Sequence, residues 1–274
     1  MHSPSNKTMV LQGAMPLVII AGAAGSIGRQ IALQLSDHYT LGLLDQDADG
    51  IAEVRDAIEH KGGHAHAFAI DITDSARVAE AFTSLTADNP LHSVVIAVGT
   101  TSGGSIESLS DAEWDSCMES CLTTVFRLIR ETVREFGDRG GTLCVLGSVQ
   151  AAHPVPGFPA YGAAKAAVAS LVRQVACEYG HQGIRANLVT PGWTETPHTL
   201  SRLERGGIDQ LIDATPLRQL VQPEDIAATV DFLLSPAARK ITGTDIVVDG
   251  GAQLLTASSA LRAPFRSALG LGWN

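Results

Sequence analysis

The chain reads as an α/β protein: a doubly wound, mostly parallel sheet of seven strands with helices on both faces. Three observations predict it. Seven short runs are almost continuously apolar, longer segments of helical character alternate with them from end to end, and the first run passes directly into a glycine-punctuated turn. Apolar runs without alternation belong to strands buried on both faces, as parallel strands are when helices cover the sheet. Right-handed crossovers between such strands wind the sheet in both directions.

In order, residues 17–21 form the first strand, and the glycine turn leads into a helix over 26–36. A strand at 40–44 precedes a helix at 48–60, and one at 66–70 precedes a helix at 75–87. The fourth strand, 93–98, is followed by one long helix over 111–136, and the fifth, 142–146, by a helix over 161–179. Residues 185–189 form the sixth strand. After the segment 191–216, too polar and irregular for a strand, come a helix at 223–234 and a last strand at 245–248. In a doubly wound sheet such an interruption lies at the carboxyl ends of the strands, where ligands bind.

At 274 residues and 45% hydrophobic content the chain can fill a real core, which excludes global disorder. No repeat or linker divides it, so one domain over residues 16–251 is expected, with a polar extension at 1–15 and an irregular tail at 252–274. Nineteen basic against 29 acidic residues leave a net charge of −10, which argues against broad binding to nucleic acid. No run approaches the roughly 18 apolar residues of a membrane span. Cys117, Cys121, Cys144 and Cys177 form no Cys-x-x-Cys pair and have no zinc spacing with histidine, so neither a disulfide framework nor a metal site is expected. Free thiols fit a reducing cytoplasm.

The first candidate site is Gly22-Ala-Ala-Gly25-Ser-Ile-Gly28. Gly22 would make the tight turn, Gly25 would keep side chains away from a pyrophosphate, and Gly28 would let the helix pack closely on the sheet. The amides at the helix start would hold the phosphates. A strand before and a helix after make this a dinucleotide loop. Asp45 ends the second strand, 17 residues after Gly28, where a carboxylate can accept from ribose hydroxyls and repel a 2′-phosphate. That favours NAD over NADP. A simple turn role for Asp45, and Arg29 nearby, argue the other way. Asp71 can reach the adenine or cap the following helix.

The second candidate is Tyr161-x-x-x-Lys165, two side chains one helical turn apart on one face. A lysine cation beside a phenol favours the phenolate, and such a tyrosine can exchange a proton with an alcohol or carbonyl. Ser148 follows the fifth strand, on the ligand side of the sheet, where its hydroxyl can bond the substrate oxygen or simply make a turn. Leu146-Gly-Ser-Val-Gln150 lacks the second glycine of a hydrolase nucleophile elbow. Gln150, His153, Phe158, Trp193 and His198 flank this chemistry and are candidate substrate walls.

The glycine loop, Ser148, Tyr161-x-x-x-Lys165, Ile184-Arg-Ala-Asn-Leu-Val-Thr-Pro-Gly192 and Ile241-Thr-Gly-Thr-Asp-Ile-Val-Val-Asp-Gly-Gly251 together resemble the short-chain dehydrogenase/reductase family. The resemblance covers about residues 16–251. It implies one Rossmann-type domain, often assembled as a homotetramer, that transfers hydride reversibly between a nicotinamide and a small-molecule alcohol or carbonyl. It makes Tyr161 the general acid/base, Lys165 a ribose ligand that also favours the phenolate, and Ser148 the holder of the substrate oxygen. It places Gly22, Gly25, Ser26, Ile27, Gly28, Asp45, Asp71, Ile72, Gly99, Tyr161, Lys165, Pro191, Gly192, Thr194 and Thr196 at the cofactor.

Four departures stand out. Ala21 replaces a threonine, Ser26 replaces the middle glycine, and Ile96-Ala-Val-Gly99 stands where the family carries Asn-Asn-Ala-Gly. Cys121 occupies the position of the family's catalytic asparagine, and a thiol cannot copy an amide. A weakened or rearranged proton relay is therefore expected, with core packing for Cys117 and Cys121. The competing function is a nucleotide-binding regulatory or scaffold protein that has lost catalysis.

Overall fold

A computed structural model describes residues 15–101, 103–203 and 205–254. Seven strands, β1 (Leu17–Ala21), β2 (Thr40–Asp45), β3 (His64–Ala69), β4 (Leu91–Ile96), β5 (Gly141–Leu146), β6 (Ile184–Pro191) and β7 (Asp245–Val248), make one parallel sheet in the order β3-β2-β1-β4-β5-β6-β7. The interior strands are buried on both faces, and the edges β3 and β7 carry exposed positions, His64 and His66 among them. This is why interior strands show no alternation in sequence while edge strands do.

The period-two geometry of β1 divides the core. Leu17, Ile19 and Ala21 point into one apolar layer, and Val18 and Ile20 into the other. The first layer is closed by α3 (Ser75–Thr86), α5 (Thr124–Phe136) and α6 (Pro159–Tyr179). The second is closed by α1 (Ser26–Leu35), α2 (Ala48–His60) and α9 (Pro223–Leu234). Phe136 is fully buried, with its ring over Gly141, where an added Cβ would lie 2.4 Å from a ring carbon. Phe136→Ala should therefore lower unfolding free energy by about 3–5 kcal/mol, measured by urea titration.

Helix starts follow local chemistry. The Asp47 carboxylate accepts from the Gly50 amide at the start of α2, and that of Asp74 accepts from the Ala76 and Arg77 amides at the start of α3. Ser110 and Glu113 form a reciprocal capping box at α4 (Asp111–Met118).

Apart from shifts of a residue or two at strand ends, the elements differ from expectation in two places. The long helix over 111–136 is interrupted by a π-helical turn, Glu119–Thr123, between α4 and α5. Both flanks have helical periodicity, so the one-residue widening leaves no mark in the pattern. The segment 191–216 contains two short helices, α7 (Pro197–Arg202) and α8 (Arg205–Asp213). Thr196 caps α7 through the Thr199 amide and Pro197 occupies its first turn, a start signal masked by the polarity around it. Almost all of the tail at 252–274 and of the extension at 1–15 lies outside the described residues.

Candidate active site

The strand order reverses between β1 and β4, whose chain continuations leave in opposite directions and open a crevice beyond the carboxyl ends. A cavity of about 710 Å³ occupies it, lined from the α1 start, the loops after β4 and β5, the first turns of α6, and the segment from Pro191 through α7.

Gly22 turns the chain at φ +84°, with no room for a Cβ against the Ala97 carbonyl oxygen 2.5 Å away. At Gly28 a Cβ would lie 2.0 Å from the Gly22 oxygen, so this glycine lets α1 pack on the loop itself rather than on the sheet, as the sequence reading had it. Gly25 differs: its nearest neighbour on the protein side would be 3.5 Å away, and the residue faces the cavity. No side chain caps α1 and no acid lies in its first turn, and Gly25, Ser26, Ile27 and Gly28 at its start line the cavity. An uncapped helix start of this kind suits an anion, and a dinucleotide pyrophosphate fits the residues present.

On the opposite wall, Lys165 is 3% exposed and its ammonium donates to the Leu146 carbonyl at 2.9 Å and the Val98 carbonyl at 3.3 Å. It is thus pinned between the end of β5 and the loop after β4, with Nζ 5.7 Å from the centre of the half-buried Tyr161 ring. Ser148 accepts from the Gln150 amide at 3.2 Å through Oγ, which leaves its own proton to donate. Ser148, Tyr161 and Lys165 all line the cavity. Gly99, at φ +139°, brings the β4 loop against this group: a Cβ there would lie 3.2 Å from Cys121 Sγ and 3.5 Å from Lys165 Nζ.

Cys121 is fully buried within the π-helical turn, and its thiol donates to the Thr100 carbonyl at 3.1 Å. Cys117 lies beside the same oxygen, 3.9 Å away, and the two pack with Ala160 and Ala164. Both are thus core residues that also brace the β4 loop. Cys144 is inert: burial pushes its thiol up to about 12. Among the described residues no group of three or more His, Cys, Asp or Glu is arranged to hold a metal, and no helix is long and apolar enough to cross a membrane.

Gly25, Ser26, Ile27, Gly28, Gly99, Ser148, Tyr161, Lys165, Pro191, Gly192, Thr194 and Thr196 converge on the cavity, whereas Gly22, Asp45, Asp71 and Ile72 do not line it. Asp45 holds the glycine loop from behind, accepting from the Ala24 amide at 3.0 Å and the Asp47 amide at 3.2 Å. The Asp71 carboxylate is taken up by the Thr73 amide and hydroxyl, which hold it below the usual carboxylate range, so Asp74 and not Asp71 caps α3. Ile72 packs on the core. Among the candidate wall residues Gln150, Phe158, Trp193 and His198 line the cavity and His153 does not. The sequence reading missed Thr101, Val155, Thr199, Arg202 and Leu203. For Arg202 a signal existed, its place one turn after His198 in a segment opened by Thr-Pro.

The residues of the longer motifs hold this scaffold together. Arg185 donates to the Leu233 and Ile241 carbonyls, and buried Asn187 clasps the Ile241 carbonyl and the Thr244 amide, fixing the approach to β7. Asp249 accepts from the Gly251 and Gln253 amides, and the space a Gly192 Cβ would need is filled by Asp249.

A family model described as enoyl-(acyl carrier protein) reductase matches residues 22–253. The 2,3-dihydro-2,3-dihydroxybenzoate dehydrogenase of Bacillus subtilis is 32% identical over 87% of this chain and 96% of its own length. The chain belongs to the short-chain dehydrogenase/reductase family. The Escherichia coli protein of the same name is 36% identical over 68% of this chain and 79% of its own. Among solved structures, a short-chain dehydrogenase/reductase family oxidoreductase from Burkholderia thailandensis superposes with a TM-score of 0.82 at 31% identity, covering 92% of this chain and 98% of that one. The seven-stranded Rossmann-like sheet is therefore that of the family, and the protein is a short-chain dehydrogenase/reductase oxidoreductase.

Proposed function

We propose that this oxidoreductase moves hydride reversibly between NAD(H) and an alcohol/carbonyl pair, with Tyr161 as general acid/base. The observation that carries the reading is the buried Lys165 ammonium, pinned by the carbonyls of Leu146 at the end of β5 and Val98 in the loop after β4 and set beside Tyr161 in the cavity. Bound nicotinamide would supply or take up the hydride. In the reducing direction the Tyr161 hydroxyl gives its proton to the carbonyl oxygen, and the Lys165 charge stabilises the phenolate left behind. In the oxidising direction the phenolate takes the alcohol proton. Ser148 donates to the same substrate oxygen and fixes its place. Gly25, Ser26, Ile27 and Gly28 would hold the pyrophosphate, Lys165 the nicotinamide ribose, and Pro191, Gly192, Thr194 and Thr196 the carboxamide, beside Gly99.

The preference for NAD rests on Asp45. Its carboxylate is fixed by two amides at the end of β2 and has no cationic partner among the described residues, while Arg29 is engaged by Glu53 at 3.2 Å. A negative charge held there repels a 2′-phosphate. Asp45→Ala should shift the ratio of NADPH to NADH dissociation constants by about tenfold toward NADPH; an unchanged ratio would remove Asp45 from the discrimination. The family resemblance supports a homo-oligomer, tetramer or dimer, which light scattering would measure, and Cys121 and Cys144, buried and in no disulfide, fit a cytoplasmic location.

The test of the reading is a screen of cyclic and linear secondary alcohols with NAD, followed by nicotinamide absorbance. The names of the two curated relatives put 2,3-dihydro-2,3-dihydroxybenzoate first in that screen. Reduction of NAD by at least one alcohol is expected. Cofactor binding with no turnover across the screen would favour the scaffold reading.

A further inference from the structure

Arg202 gives the substrate end of the cavity a charge that the hydride-transfer chemistry does not use. It closes α7, and its guanidinium reaches across the mouth to the loop after β4, where Nη1 donates to the Thr101 hydroxyl at 2.8 Å and Nη2 to the Thr101 carbonyl at 3.3 Å. The same group lies over the Phe158 ring, 5.6 Å from its centre. Three elements thus hold one exposed cation in a fixed orientation, and it forms no ion pair with an acid among the described residues.

The surroundings sharpen the point. In a chain with 29 acidic and 19 basic residues, the described lining of the cavity contains Lys165 and Arg202 but no aspartate or glutamate. Lys165 is committed to two carbonyls and the tyrosine at the base. His198, one turn before Arg202, has its Nε2 3.4 Å from the Thr101 hydroxyl. Burial and the neighbouring guanidinium hold its pKa below the usual histidine range, so it adds a neutral polar group and no second charge. A guanidinium oriented in advance, with N–H groups beyond those given to Thr101, suits a carboxylate through charge-assisted hydrogen bonds.

We propose that Arg202 anchors an anionic group of the substrate, so that the alcohol or ketone handled in this cavity carries a carboxylate, with Phe158 beneath the guanidinium and His198 beside it. The inference rests on the oxidoreductase reading of the cavity, and it assigns Arg202 to the substrate and not to the cofactor phosphates, which have the α1 amides.

The test uses the intact protein preloaded with NAD and two probes of equal shape, benzoate and the uncharged benzamide, titrated calorimetrically. Benzoate should bind about tenfold or more tightly than benzamide, as expected of charge-assisted bonds. Arg202→Met should bring the two within about twofold, Arg202→Lys should restore part of the preference, and rising salt should weaken it. NADH affinity should be the same in Arg202→Met and the parent protein. Equal or absent binding of the two probes would overturn the proposal, and so would a parallel loss of NADH affinity, which would give Arg202 to the cofactor. Failure of the parent protein to bind NADH would instead strike the oxidoreductase reading itself.

Discussion

Tyr161→Phe should reduce kcat by roughly 100- to 10,000-fold, the usual contribution of a positioned general acid/base, while the dissociation constant for NADH stays within about twofold. The split follows from the geometry. Tyr161 lies in the first turn of α6 at the cavity wall and its ring is held beside Lys165 Nζ, so removing one oxygen leaves the helix, the lysine and its two carbonyl bonds in place. Only the proton transfer is lost. Steady-state kinetics on an alcohol from the screen, with NADH binding followed by fluorescence, measures both quantities. Unchanged kcat would remove Tyr161 from the reaction, and a joint loss of binding and turnover would make it a structural residue.

The second large effect separates two glycines of one loop. A Cβ on Gly28 would sit 2.0 Å from the Gly22 oxygen and 3.2 Å from Ala23 Cα, both backbone atoms, so Gly28→Ala must push α1 away from the loop. That should lower stability by about 1–3 kcal/mol and weaken NADH binding as well. Gly25→Ala meets only an ordinary contact at 3.5 Å. Its methyl group would project where phosphate oxygens are expected, so NADH affinity should fall about tenfold with little change in unfolding temperature. Equal destabilisation of the two variants would contradict the division of labour.

The fold was legible because its interior strands are buried on both faces. Leu17–Ala21 and Gly141–Leu146 have no polar face to disguise them, and each is followed by a segment of helical period. Boundaries slipped at β3, which begins at His64, two residues before the expected start, because as an edge strand it exposes His64 and His66. They slipped also at the buried β4, Leu91–Ile96 against the expected 93–98, where the apolar run continues past the strand into Ala97 and Val98. The π-helical turn at Glu119–Thr123 was invisible because a single widened turn leaves the apolar spacing of its flanks intact. In the site, Tyr161 and Lys165 could be paired from spacing alone, since one helix carries both. Arg202 could not, because its partners Thr101 and Phe158 lie 101 and 44 positions away, on other elements. Asp45 was found, but its contact with the Ala24 amide depends on the close approach of β2 to the loop and is a property of the fold alone.

The central claim, a nicotinamide site in the crevice between β1 and β4 with Asp45 setting its preference, is tested most directly by thermal unfolding with NADH or NADPH at matched concentrations. A ligand at 100 times its dissociation constant adds about 2.7 kcal/mol to the folded state, enough to move the transition clearly. A larger upward shift with NADH than with NADPH is expected. A larger shift with NADPH would refute the role given to Asp45, and no shift with either at saturation would contradict the cofactor site itself.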